Sequence, residues 1–129
     1  MSRKHVFLFN ALFFSPFFLF AQFDFNSNCR EAYRSILSFH FTEAGKLLNA
    51  EKTAHSSNLI PIYLENYIDF FTVFIGEEPS AFEKFRKAQE MRSDILKKGN
   101  RESPYYRYCL GNMRIQFAIC RMKFGEYKS

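Results

Sequence analysis

The spacing of apolar residues divides the chain into five predicted helices. Apolar positions recur three or four residues apart, which places them on one face of a helix, and no stretch shows the strict alternation typical of a strand. Polar or proline-containing breaks such as 56–58 and Ser103-Pro104 separate these stretches. The pattern predicts an all-α protein with helices over residues 28–40, 42–55, 59–76, 80–98 and 104–124.

Residues at the predicted helix ends suit capping. Four helices start beside residues that can cap the first turn, namely Asn28 with Glu31, Thr42, Ser80 with Glu83, and Ser103 before Pro104. Gly76 is predicted to end the third helix in the left-handed conformation, and Lys97, Lys98 and Gly99 to end the fourth. Short turns are therefore expected between the helices.

The third predicted helix is the most hydrophobic. Apolar side chains surround much of it between Leu59 and Ile75, as expected of a helix that packs on several sides. Polar residues within it, such as Asn66 and Asp69, distinguish it from a membrane span. We expect this helix to be the packing centre, with Phe71 and Phe74 in the core.

The first 21 residues carry the pattern of a signal peptide. Arg3, Lys4 and His5 make a basic start, residues 6–20 are largely apolar, and Ala21 is a small residue at a plausible cleavage site. As a helix the apolar stretch would span roughly 22 Å, less than the roughly 30 Å core of a bilayer. Cleavage after Ala21 is predicted, and the alternatives are retention as an uncleaved anchor and a cytosolic N terminus that only resembles a signal.

Export would leave a small, mildly basic protein. The chain has 129 residues and a net charge of +5, so loss of the first 21, with Arg3 and Lys4, leaves 108 residues and a charge of +3. That length suits one domain or a few helical repeats. The Phe-Ala-Gln junction resembles signal peptides of Gram-negative envelope proteins, which implies a periplasmic or outer-membrane location. Export and the modest charge exclude nucleic acid as a natural partner.

The three cysteines are an odd number for a compartment that oxidises thiols. Cys109 and Cys120 lie three helical turns and roughly 16 Å apart, too far for a disulfide. Cys29 could pair with one of them only if the first and fifth helices touch. Buried free thiols are therefore expected.

Two stretches resemble tetratricopeptide repeats. Phe41-Thr42-Glu43-Ala44 followed by Leu48 is similar to the turn and second helix of a repeat, and Ala32 fits the small position of the first helix. Phe117-Ala118 and then Phe124-Gly125-Glu126-Tyr127 resemble the first helix and turn of another unit. The resemblance implies antiparallel helical hairpins stacked as a solenoid over residues 28–129, preceded by a leader over 22–27. Glu51 departs from the family, since it stands where a small residue is usual.

The family pattern would place its next alanine after Ser129, so the chain is expected to be the N-terminal portion of a longer repeat protein or the product of a truncated gene. The fifth helix would then lack a covering partner. Its second half presents large apolar side chains, namely Ile115, Phe117, Ile119, Met122 and Phe124. Self-association through this helix is therefore expected.

A tyrosine cluster at the start of the fifth predicted helix is the candidate contact surface. Tyr105, Tyr106 and Tyr108 offer apolar area with a hydroxyl, which suits peptide binding. Arg107 and Arg114 could hold a carboxylate of a partner. Ordinary core packing of these tyrosines is the alternative.

The sequence contains no motif for catalysis. It lacks a nucleophile elbow, a phosphate-binding loop and metal-ligand spacing, and His40 and His55 are expected to cap helix ends or lie at the surface. We therefore expect no catalytic residue, cofactor or metal ion. The expected function is a protein–protein interaction scaffold of the cell envelope. The alternatives are a periplasmic sensor or regulatory domain of a larger membrane or signalling protein, and an enzyme whose active site lies further along the gene.

The signal-peptide assignment predicts a defined mature N terminus. Expression of the chain in a Gram-negative host should yield a periplasmic protein that begins at Gln22, because signal peptidase cuts after small residues. Intact-mass spectrometry measures this directly. A periplasmic or membrane-bound species that still carries Arg3 and Lys4 would instead indicate an anchor.

Overall fold

The computed structural model describes residues 22–126, and these form five helices and no strand. The helices are α1 (Ser27–Leu37), α2 (Phe41–Ala54), α3 (Ile60–Gly76), α4 (Pro79–Leu96) and α5 (Pro104–Lys123). The all-α prediction is confirmed. The predicted signal over residues 1–21 and the turn residue Tyr127 lie outside the described residues.

Helix α3 is the centre of the packing. It contacts each of the other four helices, while α1 also packs on α2 and α4 also packs on α5. The core has two parts along α3. One lies beside α1, α2 and the start of α5, and the other lies beside α4 and the end of α5. The second part is built around Phe70, Val73, Phe82, Phe85 and Cys120.

The burial of individual residues on α3 differs from the prediction. Phe70 and Val73 are buried, Phe71 is half-buried, and Phe74 is 36% exposed. Because α3 is apolar on nearly every side, its periodicity does not select which residues face the core. The Phe74 ring instead lies beneath the Lys123 ammonium, whose Nζ is 4.1 Å from the ring centroid.

The second half of α5 is more covered than predicted. Phe124 stacks on Phe82 with ring centroids 4.5 Å apart, and Phe117 packs against Phe82 and Phe85. Ile119 is also half-buried. The expectation of an uncovered face therefore holds for Ile115 and Met122 only. Phe117 and Phe124 point instead towards α4, on another side of the helix.

Several helix ends differ from those predicted. Helix α1 is capped by Asn26, whose side-chain oxygen accepts a hydrogen bond from the Cys29 amide at 3.1 Å, and not by Asn28. The left-handed residue after α3 is Glu77, with φ 57°, so Gly76 still belongs to the helix. The predicted start of α5 at Pro104 after Ser103 is confirmed.

Helices α2 and α4 each begin one residue before the predicted cap. Helix α2 starts at Phe41 after His40, so Thr42 lies inside its first turn. Helix α4 starts at Pro79 and has Ser80 inside its first turn. Proline fits the first helical position because its missing N–H would have no partner there.

Residues 22–26, the predicted leader, pack into the helical domain. The Phe23 ring is buried and lies so close to Gly99 that a Cβ at Gly99 would come within 2.5 Å of it. The backbone oxygen of Gln22 accepts a hydrogen bond from the Leu59 amide at 2.7 Å. This segment therefore closes one end of the core, and Gly99 is required for close packing.

The carboxylate of Glu51, at the end of α2, is completely buried. Its oxygens accept hydrogen bonds from the amides of Asn26 at 2.6 Å, Asn28 at 3.1 Å and Asn58 at 2.9 Å, and His55 Nδ1 lies 3.0 Å away. These donors come from the start of α1, the end of α2 and the turn before α3. One buried charge therefore joins three elements that are separated from one another in sequence.

Hydrogen bonding decides the ionisation of this carboxyl. Burial by itself raises the pKa of Glu51, but the bonds from Asn58, Asn26, Asn28 and His55 outweigh burial and hold the pKa below its usual value. Glu51 is therefore ionised at neutral pH. Its stabilising contribution is complete above the unfolded value, about 4.5, and is lost as the pH falls through the lower folded value.

Glu51→Gln is expected to lower the free energy of unfolding by about 3 kcal/mol, because it removes the charge and points an amide at amide donors. Urea denaturation measures this. The control is Glu43→Gln on the exposed side of the same helix, which should change it by less than about 0.5 kcal/mol. The difference between wild type and Glu51→Gln should shrink as the pH falls below about 4.5. Equal stability of the two variants would contradict the assigned role.

Candidate functional site

An aromatic groove runs across the same side of α1, α3 and α5. We call it the tyrosine groove, and its volume is about 180 Å³. Its lining residues are Phe25, Tyr33, Ile60, Tyr63, Leu64, Tyr105 and Tyr108. All seven side chains are uncharged. The groove therefore offers apolar contact area with hydroxyl groups, which is the composition of many peptide-binding surfaces.

The rings of the groove form a connected set together with Tyr67, which is not a lining residue. Tyr63 lies 6.0 Å from Tyr108 and 5.4 Å from Tyr67, measured between ring centroids, and Tyr67 lies 5.6 Å from Tyr33. Phe25 closes the set, at 6.0 Å from Tyr33 and 6.3 Å from Tyr105. Because each ring contacts at least one other, the groove walls are held in place before any ligand binds.

The aromatic surface continues beyond the groove along α3. Tyr67 contacts Phe71 at 6.0 Å, and Phe71 contacts Phe39 at 5.5 Å. Phe39, in the turn between α1 and α2, has a left-handed backbone with φ 58° and is largely exposed. This conformation costs a large non-glycine residue about 1–2 kcal/mol. The Phe39 ring therefore lies at the surface although its residue adopts an unfavourable backbone conformation.

A buried polar chain fixes the floor of the groove. The Tyr63 hydroxyl donates to Asn112 Oδ1 at 3.1 Å, and the same oxygen accepts a bond from Gln116 Nε2 at 2.8 Å. Gln116 Oε1 in turn accepts from Asn66 Nδ2 at 2.8 Å. Because these bonds link α3 to α5 in the protein interior, they set the separation of the two helices that carry Tyr63 and Tyr108.

The environment of the tyrosine hydroxyls favours their neutral form. Burial raises the pKa of Tyr63, and hydrogen bonding with the hydroxyls of Tyr67 and Tyr108 raises it further. Burial and the neighbouring Tyr67 likewise raise the pKa of Tyr33. Tyr33 and Tyr63 therefore stay protonated and do not supply a phenolate near neutral pH, and the Tyr63 proton is already donated to Asn112.

The structure separates the five predicted contact residues. Tyr105 and Tyr108 line the groove, whereas Tyr106 packs on the Phe23 ring at 6.3 Å. Arg107 is exposed outside the groove, and Arg114 lines a different cleft between α4 and α5. The arginines are therefore not placed to assist the tyrosines.

Five of the seven lining residues are not among the predicted contact residues, and three of the five are aromatic, namely Phe25, Tyr33 and Tyr63. Phe25 lies in the predicted leader, and Tyr33 and Tyr63 lie in predicted helices for which the sequence indicates no contact surface. The recurrence of Tyr63, Tyr67 and Phe71 at four-residue spacing is the signal that could have found them, because this spacing aligns rings along one helix face.

The residues of the predicted repeat motif take different environments. Ala32 and Ala44 are fully buried in the two helices of the first hairpin, Leu48 is buried, and Phe41 is half-buried. Gly125 has φ 78° in the turn after α5. Ala118 differs from the predicted packing role, since it is exposed on α5.

The cysteines are inert by environment. Cys29, Cys109 and Cys120 are buried free thiols, and burial raises their pKa values to about 12, 12 and 11. A thiol with so high a pKa is not ionised at neutral pH and is a poor nucleophile. Among residues 22–126, no group of three or more histidine, cysteine or acidic side chains is placed to share a metal ion.

Comparison with protein-family models, curated proteins and solved structures gives no match. Within the described part of the chain, the helices are also too short or too polar to cross a membrane.

The raised pKa of Tyr63 predicts its behaviour in an alkaline titration. In folded protein, Tyr63→Phe should leave the tyrosinate absorbance step around pH 10 unchanged, because the wild-type hydroxyl stays protonated there. In denaturant the variant should lose about one seventh of the signal, since the chain has 7 tyrosines. A loss of amplitude in the folded variant near pH 10 would show that the Tyr63 hydroxyl is open to solvent.

Proposed function

We propose that this protein is a non-enzymatic interaction scaffold that binds a peptide segment of a partner protein in the tyrosine groove. The observation that carries the proposal is the groove itself. Three helices present aromatic side chains on one side, and Tyr108 remains 55% exposed there in spite of its size. Tyrosine gives contact area and hydrogen bonding at low entropic cost, because its side chain has only two rotatable angles.

The arrangement of helices supports the interpretation of the fold as tetratricopeptide-like. Each helix packs only on helices one or two positions along the chain, as consecutive stacked hairpins do. The buried Ala32 and Ala44 allow α1 and α2 to approach closely, and α1, α3 and α5 line a common groove. We propose this architecture as the framework of the binding surface.

The proposed site of action is the cell envelope. This part of the proposal rests on the export pattern of residues 1–21 and places the protein in the periplasm, or at the outer membrane, of a Gram-negative cell. A peptide partner is expected to come from the same compartment.

Selection from a displayed random peptide library tests the binding site. We expect the purified protein to enrich peptides whose affinity falls at least tenfold in Tyr108→Ala, because truncating a central aromatic contact typically costs more than about 1.4 kcal/mol. The matched control is Met91→Ala on α4, since Met91 is 59% exposed and does not line the groove. Affinities are measured by fluorescence anisotropy.

Two results would contradict this function. One is the absence of any enriched peptide. The other is enrichment of peptides that bind wild type, Tyr108→Ala and Met91→Ala equally. Circular dichroism of each variant checks that a lost affinity does not reflect unfolding.

A further inference from the structure

Helix α5 carries a second apolar surface, separate from the tyrosine groove. Gly111, Ile115, Ala118 and Met122 follow one another at spacings of four, three and four residues, so they share one face. We call this face the outer α5 stripe. Ile115 is 59% exposed and Met122 is 54% exposed, and none of the four residues lines the groove.

The shape of this stripe suits a helix. Its spacing is that of the two core positions of a coiled coil, and large residues alternate along it with small ones. A Cβ added to Gly111 would meet no atom within 4 Å, so the surface there is open. Small residues between large ones create holes into which side chains of a second helix can insert.

The charge of α5 limits what can cover the stripe. The helix contains no acidic residue, and its four basic residues are Arg107, Arg114, Arg121 and Lys123. Arg121 is paired with Glu126 and Lys123 with Glu77. Arg107 and Arg114, seven residues apart, are both exposed along one flank of the stripe. Neither forms an ion pair within residues 22–126.

The acidic groups nearest to this flank belong to α4. Glu90 and Asp94 line the cleft that Arg114 also lines, but Asp94 is paired with Lys97 at 2.9 Å. Glu90 forms no ion pair among the described residues and offsets part of the charge of Arg114, so Arg107 and Arg114 together still leave the flank with a positive net charge. A carboxylate placed opposite it would be attracted, and a cation would be repelled.

We propose that the outer α5 stripe docks an amphipathic helix of a partner protein, one that carries carboxylates beside its apolar face at seven-residue spacing. The occupant follows from charge complementarity. A second copy of α5 would supply cations and no carboxylate opposite Arg107 and Arg114, whereas an acidic helix would pair with both. An anionic lipid surface would satisfy the charge, but it makes no use of the holes at Gly111 and Ala118.

The test uses the protein expressed from the full sequence, including residues 1–21. The ligands are two synthetic amphipathic helices of about three heptads. Both peptides have the same leucine and alanine core, with glutamates on the flanks of one and lysines on the other. The glutamate peptide is expected to bind at least tenfold more tightly, and added salt should reduce this preference. Isothermal titration calorimetry measures both affinities.

Variants assign the binding to the stripe. Ile115→Glu should lower the affinity for the glutamate peptide at least tenfold. Met91→Glu, at an equally exposed position on α4, should not lower it. The double variant Arg107→Glu, Arg114→Glu should invert the preference, so that the lysine peptide binds more tightly. Circular dichroism and the groove-selected peptides check that each variant remains folded and that the groove is intact.

Three results would overturn the proposal. The first is equal affinity for the two peptides. The second is a dimer of the wild type by light scattering that Ile115→Glu dissociates, which would make the occupant a second copy. The third is binding to phosphatidylglycerol vesicles, abolished by Ile115→Glu, without any preference between the peptides. Lost binding of the groove-selected peptides would concern only the tyrosine groove. Failure of the proposed function is therefore distinguishable from failure of the outer α5 stripe as a binding site.

Discussion

The buried carboxylate of Glu51 holds together the end of the molecule on which the tyrosine groove is built. An isolated buried carboxylate would cost several kcal/mol, so the fold is stable only when the surrounding amides and His55 are in place. Asn26 links this network to the cap of α1, and Asn58 links it to the backbone of Asp24 and the first turn of α3. The position of Phe25, between these residues, follows from the same bonds.

A second polar network connects α3 with α4 and α5. Tyr63, Asn112, Gln116 and Asn66 join α3 to α5, and Arg92 of α4 bonds to Asn66 and pairs with Asp69. Apolar packing alone tolerates small shifts between helices, whereas directional hydrogen bonds favour one register. The two networks therefore position α1 and α5 relative to α3. The aromatic groove is lined by these three helices.

The helices and their type could be predicted from the sequence because they depend on local periodicity. Five stretches of helical spacing became five helices, and the proline at 104 marked the start of α5 correctly. Helix ends were predicted less well. Asn28 and Asn26 are equally good caps by type, and both donate a hydrogen bond to Glu51, so residue type alone does not indicate which of them caps α1.

The sequence by itself determined the all-α class, the helix boundaries to within a few residues and the supply of aromatic side chains. Only the tertiary structure decided which of those side chains face solvent. On a helix as apolar as α3, periodicity cannot distinguish the buried Phe70 from the exposed Phe74, because the packing of neighbouring helices determines which face is buried. The groove and the outer α5 stripe exist for the same reason. Each is defined by where other helices pack and where they leave a side chain uncovered.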